Sequence, residues 1–194
     1  MSNNPGQSRN SFRNIFECIS SDAYKRYAQP RVLVFMAVLI ALQVVCTKVI
    51  AVQYISQRFS PLGILPTAVG GMLLGPVSAA IIRSMADLLG AFLYGAVPWP
   101  EMTLNYVLLG FVTGLFYFQK PITLLRSVMC NLFVTVVCFM LINTLILTTR
   151  NHTVFWAELL VRLPKYAFQY PADVILVLAA GSMIKRLPAS LTRI

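Results

Sequence analysis

The run VLVFMAVLIALQVVCTKVIAV at positions 32–52 decides the fold class. A helix of about 20 apolar residues is long enough to cross the hydrocarbon core of a bilayer. The run follows Arg31 and carries a single charge, Lys48, near its far end, where a lysine side chain can extend to the membrane interface. The sequence therefore predicts an integral membrane protein whose first transmembrane helix lies here.

The composition of the whole chain agrees with that prediction. Of the 194 residues, 58% are hydrophobic and only 11% are charged, whereas about a quarter of the residues in a soluble domain are charged. This length has room for about six spans and little else. We therefore predict an all-α integral membrane protein with six transmembrane helices, forming one domain with no soluble catalytic module attached.

Five further segments are predicted to be membrane helices, and they differ in length. They lie at 64–74, 77–95, 102–118, about 122–147 and about 171–184. The second helix ends at Gly75-Pro76, and Pro76 opens the third because proline suits the first turn of a helix. The stretch 148–169 is too charged for hydrocarbon and is predicted to be a partly amphipathic loop. The second helix is thus short. The sixth is also short unless it begins near Tyr166.

The basic residues indicate how the chain is oriented. The sequence has 16 Lys and Arg against 6 Asp and Glu. Most of them lie beside predicted helix ends on the side that holds both termini, which predicts that both termini are cytoplasmic. In this setting the positive charge indicates contact with anionic lipid headgroups and no nucleic-acid partner.

The domain boundaries follow from the same segments. Residues 1–30 are predicted to form a cytoplasmic tail, 31–187 the membrane domain and 188–194 a second cytoplasmic tail. Residues 12–27 mix apolar with basic residues, and two interpretations stay open: a short interfacial amphipathic helix or a disordered tail.

Catalytic, metal and nucleotide motifs are absent from the sequence. It has no GxxxxGK[ST], GxSxG or HExxH motif, one histidine, His152, and no CxxC among its four cysteines. We therefore expect no catalytic residue, disulfide, metal or cofactor. If the protein moves a solute against a gradient, an ion gradient or a partner subunit must supply the energy.

Pairs of small residues four positions apart recur along the predicted helices. They are Ala37 and Ala41, Gly71 and Gly75, Ala86 and Gly90, and Gly110 and Gly114. In lipid, this spacing lets helix backbones approach closely. Internal packing is the favoured interpretation for each pair, but the fully apolar surroundings of Ala37 and Ala41 also suit docking of a partner membrane helix.

Ionisable and aromatic residues suggest a ligand site. Arg83 and Asp87 are one helical turn apart, so they form either an internal ion pair or the edge of a polar cavity. Asp173 has the same ambiguity and could also cap the sixth helix. Further candidates lie on the outer side: Phe59, Tyr94, Trp99, Arg162, Lys165 and Tyr166. Such residues are typical of an interfacial aromatic belt, yet they would also suit a planar solute with a carboxylate tail.

Residues 61–120 resemble a known family. They contain GMLLGP at 71–76, ADLLGAFL at 86–93, Pro98-Trp99-Pro100, MTL at 102–104 and GLFY at 114–117, and NTL at 143–145 and RLPK at 162–165 follow later. The chain from about 31 to 187 is similar to the substrate-binding S components of energy-coupling-factor (ECF) transporters, most of all the folate-specific one. The segment LGILP at 62–66 and Arg83 depart from the family pattern.

The resemblance implies a six-helix S component in the plasma membrane of a prokaryote. Such a protein would capture folate from outside and dock, through Ala37 and Ala41, on a transmembrane coupling protein with two ATPases. The expected folate-binding residues are the following: Phe59, Arg83, Asp87, Tyr94, Trp99, Arg162, Lys165 and Tyr166. The glutamate carboxylates are expected near Arg162 and Lys165.

Three alternatives remain at this stage. The chain could be an S component for another vitamin, such as thiamine or pantothenate. It could be a small intramembrane enzyme using Asp87, Glu101 and Asp173, although these carboxylates are scattered along the sequence. It could also be a structural membrane protein.

Overall fold

The computed structural model describes residues 28–54, 57–60, 62–118, 120, 122–152 and 154–186, without the side chains of 52–59, 151, 157, 185 and 186. The predicted tail helix at 12–27 and the tail at 188–194 lie outside the described residues, so both stay predictions.

The described part of the chain contains six helices and one short hairpin. The helices are α1 (Pro30–Val44, continued by a π-helical turn Val45–Val49), α2 (Leu65–Leu74), α3 (Pro76–Leu93), α4 (Pro100–Tyr117), α5 (Leu124–Phe133, π-helical Val134–Ile142 and Asn143–Asn151) and α6 (Phe155–Arg186). Strands β1 (Val52–Tyr54) and β2 (Gln57–Phe59) pair antiparallel, with Val52 opposite Phe59. The predicted six-helix membrane fold is confirmed, and the hairpin lies within the predicted polar turn after α1.

Within the residues that the structure describes, four helical stretches are long and apolar enough to cross a membrane. They are Pro30–Val49, Pro76–Leu93, Leu124–Arg150 and Glu158–Ile184, while Leu65–Leu74 is apolar but shorter. Many large apolar side chains on the bundle surface are exposed, among them Val34, Leu132, Ile175 and Met183. An apolar outer face of this extent matches lipid better than water.

Helix α6 corrects the prediction of a loop at 148–169 and of a short sixth helix. It is continuous from Phe155 to Arg186 and contains Pro164 and Pro171. Its charged residues misled the sequence argument because they face inward: Arg162 is 2% exposed, whereas Leu160 beside it is 65% exposed. A charge count along the chain does not distinguish this arrangement from a polar loop.

The course of α6 also corrects the prediction that Asp173 could cap the sixth helix. The residue lies within the helix and is 5% exposed, so it does not cap the helix N-terminus.

The helices α2, α3 and α4 pack closely through small residues. A Cβ atom on Gly110 would lie 2.5 Å from the Ala79 carbonyl oxygen, and one on Gly114 would overlap the backbone of Pro76. Gly75 has φ 103°, a conformation that favours glycine, and makes the tight connection between α2 and α3. Internal packing is therefore confirmed for the pair Gly110 and Gly114.

Candidate functional site

A cavity of about 330 Å³ lies at the end of the bundle opposite Pro30 and Arg186. It is enclosed by the π-helical end of α1, the second half of α3, the start of α4, the end of α5 and the first half of α6. Its volume falls within the range of about 300 to 1,000 Å³ that is usual for small-molecule sites.

Basic side chains dominate the charge of this cavity. Among the described residues that line it, the cations are Lys48, Arg83, Arg162 and Lys165, and the one carboxylate is Asp87. Charges interact more strongly in such surroundings than in water. The cavity is thus suited to a ligand with more than one negative charge.

Lys48 reaches the cavity because of local features of α1 and α3. It lies in the π-helical turn Val45–Val49, and its side chain crosses α3 at Gly90, where a Cβ atom would overlap Lys48 Cε. Tyr94 Oη donates to the Lys48 carbonyl oxygen at 2.9 Å. The Lys48 side chain thus turns toward the cavity, and its extension to the membrane interface stays a prediction.

Arg83 is held by the loop before α2. Its Nη1 donates to the Gly63 carbonyl oxygen at 2.7 Å, and Gln43 Nε2 donates to the same oxygen at 2.6 Å. Thr67 Oγ1 in turn donates to Gln43 Oε1 at 2.9 Å. The Arg83 guanidinium also lies 5.1 Å from the ring centroid of Tyr106, a cation–π distance. These contacts fix the guanidinium in one place at the cavity wall.

Asp87 lies among the cations on the α3 side. It interacts electrostatically with Lys48 and Arg83, and Thr103 Oγ1 donates to its Oδ2 at 3.4 Å. Both interpretations of the pair Arg83 and Asp87 therefore apply, because the two charges interact and also line the cavity.

Helix α6 contributes cations and an aromatic wall. Arg162 Nε lies 3.4 Å from Glu158 Oε2, and Lys165 Nζ is 5.2 Å from the ring centroid of Tyr166. The Tyr166 ring stacks on Phe139 with centroids 5.6 Å apart and an interplanar angle of 25°. Tyr106, Phe139 and Tyr166 all line the cavity, which provides flat faces for a planar ring.

Both π-helical segments border the cavity. The first contributes Thr47 and Lys48, the second contributes Phe139, and Asn143 follows it directly. π-Helical segments are rare and are frequent at functional sites, where the extra residue per turn redirects side chains. Their place in two different helices, both facing the same cavity, supports a functional site there.

The structure brings together most of the predicted ligand residues. Arg83, Asp87, Arg162, Lys165 and Tyr166 line the cavity.

The other three predicted ligand residues are placed differently. Neither Tyr94 nor Trp99 is among the lining residues. Tyr94 Oη donates to the Lys48 carbonyl oxygen, and the ring centroid of Trp99 lies 5.7 Å from Cζ of Arg150. Arg150 also pairs with Glu101 at 2.7 Å on the exposed rim. The side chain of Phe59 lies outside the described residues.

The sequence argument missed several lining residues. They are Gln43, Thr47, Lys48, Tyr106, Phe139, Asn143 and Gln169. The presence of Gln43 and Lys48 within the apolar run at 32–52 was a usable signal, because polar side chains inside a span usually face a cavity or a partner.

Comparisons with known proteins agree with this architecture. A family model described as the substrate-specific component of ECF transporters matches residues 31–189. The folate transporter FolT of Clostridium novyi (strain NT) is 28% identical over 158 residues, which cover 80% of this chain and 91% of that protein. The crystal structure of FolT bound with folic acid has a TM-score of 0.75 and 31% sequence identity, covering 82% of this chain and 97% of that chain.

Proposed function

The chain belongs to the family of substrate-specific components of ECF transporters, and we propose that it captures folate from outside the cell for an ATP-driven importer. The likeness to FolT in sequence and in structure supports folate as the substrate. Energy would come from partner subunits, because the sequence has no GxxxxGK[ST] phosphate loop.

The charge and shape of the cavity are the observation that carries this proposal. Folate joins a flat pterin ring and an aminobenzoyl ring to a glutamate with two carboxylates. The cavity offers stacked rings at Phe139 and Tyr166, and its cations outnumber its single described carboxylate. We place the glutamate near Lys48, Arg162 and Lys165, where ammonium and guanidinium groups can form charge-assisted hydrogen bonds with both carboxylates.

The position of the cavity supports capture from outside the cell. The cavity lies on the side of the bundle that is opposite Pro30 and Arg186, where the helical domain begins and ends. With both termini cytoplasmic, as the basic residues indicate, it opens to the outside of a prokaryotic plasma membrane.

The partner surface is proposed on α1. Ala37 and Ala41 lie on its exposed side, beside exposed Val34 and Val38. Small residues four apart let another membrane helix approach closely. We propose that the transmembrane coupling protein, which carries two ATPases, docks there.

A direct binding measurement tests the substrate. We expect the purified full-length protein in detergent to bind folic acid saturably in isothermal titration calorimetry, with no ATP present, and to bind neither thiamine nor pantothenate. Binding of thiamine or pantothenate without any binding of folic acid would contradict the folate assignment and leave the family membership intact.

A further inference from the structure

A buried asparagine on α4 contacts the π-helical segment of α5. Asn105 is 3% exposed, and its Nδ2 donates to the Cys138 carbonyl oxygen at 3.0 Å. Cys138 lies in the π-helical segment Val134–Ile142, and its carbonyl oxygen also accepts the backbone N–H of Asn143, five residues further along. The two lone pairs of this oxygen are thus used by one donor from α5 and one donor from α4.

The asparagine makes this bond at the expense of its own second polar atom. A carbonyl oxygen can only accept, so the Asn105 amide must present its nitrogen to Cys138. Its Oδ1 is buried and has no hydrogen-bond partner among the described residues. Burying an amide oxygen without a donor is unfavourable, and a leucine of similar size would avoid that loss. Stability alone therefore does not account for an asparagine at this position.

The contact lies directly beside a residue of the cavity wall. Phe139 follows Cys138, lines the cavity and stacks on Tyr166 with ring centroids 5.6 Å apart. π-Helical turns are rare, and uncommon backbone conformations persist where surrounding contacts maintain them. Each residue of an α-helix turns the chain by about 100°, so a return to α-helical winding would move the Phe139 ring from its place against Tyr166.

We propose that Asn105 is a positioning residue: its hydrogen bond to Cys138 maintains the π-helical winding of α5 and so keeps the Phe139 ring in the cavity wall. Asn105 is not among the described residues that line the cavity, so it acts on a ligand through α5. The inference rests on the proposed function for the identity of that ligand, whereas the effect of Asn105 on α5 needs no ligand.

Hydrogen–deuterium exchange of the ligand-free, full-length protein in detergent tests the effect on α5. We expect the backbone amides of 134–147 to exchange roughly tenfold faster in Asn105→Leu, the effect of one hydrogen bond. The amides of α3 should exchange as in the native protein. The thermal unfolding temperature should be unchanged, because the variant loses the unsatisfied Oδ1 together with the bond. Asn105→Ala, which removes the same bond without added bulk, is measured beside it.

Titration calorimetry with folic acid tests the effect on the cavity. Asn105→Leu should bind about tenfold more weakly, because only the molecules with π-helical winding present Phe139 correctly. In a Phe139→Ala protein the same substitution should change the affinity less than about twofold, since the ring that it positions is gone. Leu104→Ala is the matched control: Leu104 precedes Asn105 on α4, is 70% exposed, and should leave the affinity and the exchange unchanged.

Three results would overturn the inference. The first is native exchange of 134–147 in both Asn105 variants. The second is an equal loss of affinity with and without the Phe139 ring, because Asn105 would then act independently of it. The third is a lower unfolding temperature with faster exchange in every helix, which would assign Asn105 a general structural role. If the native protein binds no folic acid, the proposed function fails, and the exchange measurement by itself decides whether Asn105 maintains the winding of α5.

Discussion

At the scale of single residues, Lys48 shows how a glycine on one helix determines the position of a charge on another. Its side chain crosses α3 where Gly90 has no Cβ, and its ammonium lies near Asp87 at the cavity. With an alanine at position 90, Lys48 would have to move away from α3. The position of the Lys48 charge at the cavity therefore depends on Gly90, which is not itself among the residues that line the cavity.

We expect Lys48→Met to weaken folic acid binding roughly ten- to hundredfold, since a hydrogen bond to a charged group contributes about 1.5–3 kcal/mol. Gly90→Ala should act in the same direction by displacing the lysine. Titration calorimetry with folic acid and with pteroic acid, which lacks the glutamate, should show a larger loss for folic acid. Leu89→Ala, an exposed neighbour on α3, is the control. Equal losses for both ligands would exclude a contact between Lys48 and the glutamate.

At the scale of elements, close packing of α4 against α2 and α3 holds the cavity wall in place. The Cα of Gly114 lies 2.9 Å from the Cβ position of Gly71, and Gly110 lies against the backbone of Ala79 and Ala80. No side chain can be accommodated at these positions without moving a helix. Since α3 and α4 both supply cavity residues, their separation would alter the site as well as the stability.

We expect Gly114→Val to lower the thermal unfolding temperature of the detergent-purified protein, because overpacking typically costs about 1–3 kcal/mol and here the neighbour is the backbone of Pro76. Unfolding can be followed by circular dichroism. Leu104→Ala, on the exposed side of α4, should leave the unfolding temperature nearly unchanged. A Gly114→Val protein as stable as the native one would show that α4 packs differently from the arrangement described.

At the scale of the whole molecule, the cavity and the proposed docking face lie on separate surfaces. The cavity lies inside the bundle, whereas Ala37 and Ala41 lie on its exposed face. A substitution on that face removes no cavity residue. Ligand capture and assembly with partners should therefore be separable by mutation.

We expect Ala37→Trp combined with Ala41→Trp to abolish co-purification with a co-expressed coupling protein and its ATPases, because bulky side chains prevent close helix approach. Affinity for folic acid, measured by titration calorimetry, should be unchanged. Leu132→Trp, on the exposed face of α5, should affect neither property. Full recovery of the complex with the double variant would place the docking surface elsewhere.

Hydrophobic patterning made the membrane class, the number of helices and the break at Gly75-Pro76 predictable, because these depend on local composition and on the backbone limits of glycine and proline. Arg83, Asp87, Arg162, Lys165 and Tyr166 were also found as candidates and line the cavity, since ionisable side chains in or beside an apolar span are costly in lipid and usually face a cavity or a partner. Trp99 and Tyr94 could not be distinguished from these residues, because they are aromatic and were predicted at the same end of the bundle.

The sequence by itself determined that this chain is a six-helix membrane protein with an excess of basic residues, because the bilayer requires long apolar runs whatever the packing. Only the tertiary structure decided which polar residues face one another. The inward course of Lys48, the continuous helix α6 and the hydrogen bond from Arg83 to the Gly63 carbonyl oxygen depend on helix rotation and on π-helical turns. These arise from contacts between segments distant in sequence, which local periodicity does not contain.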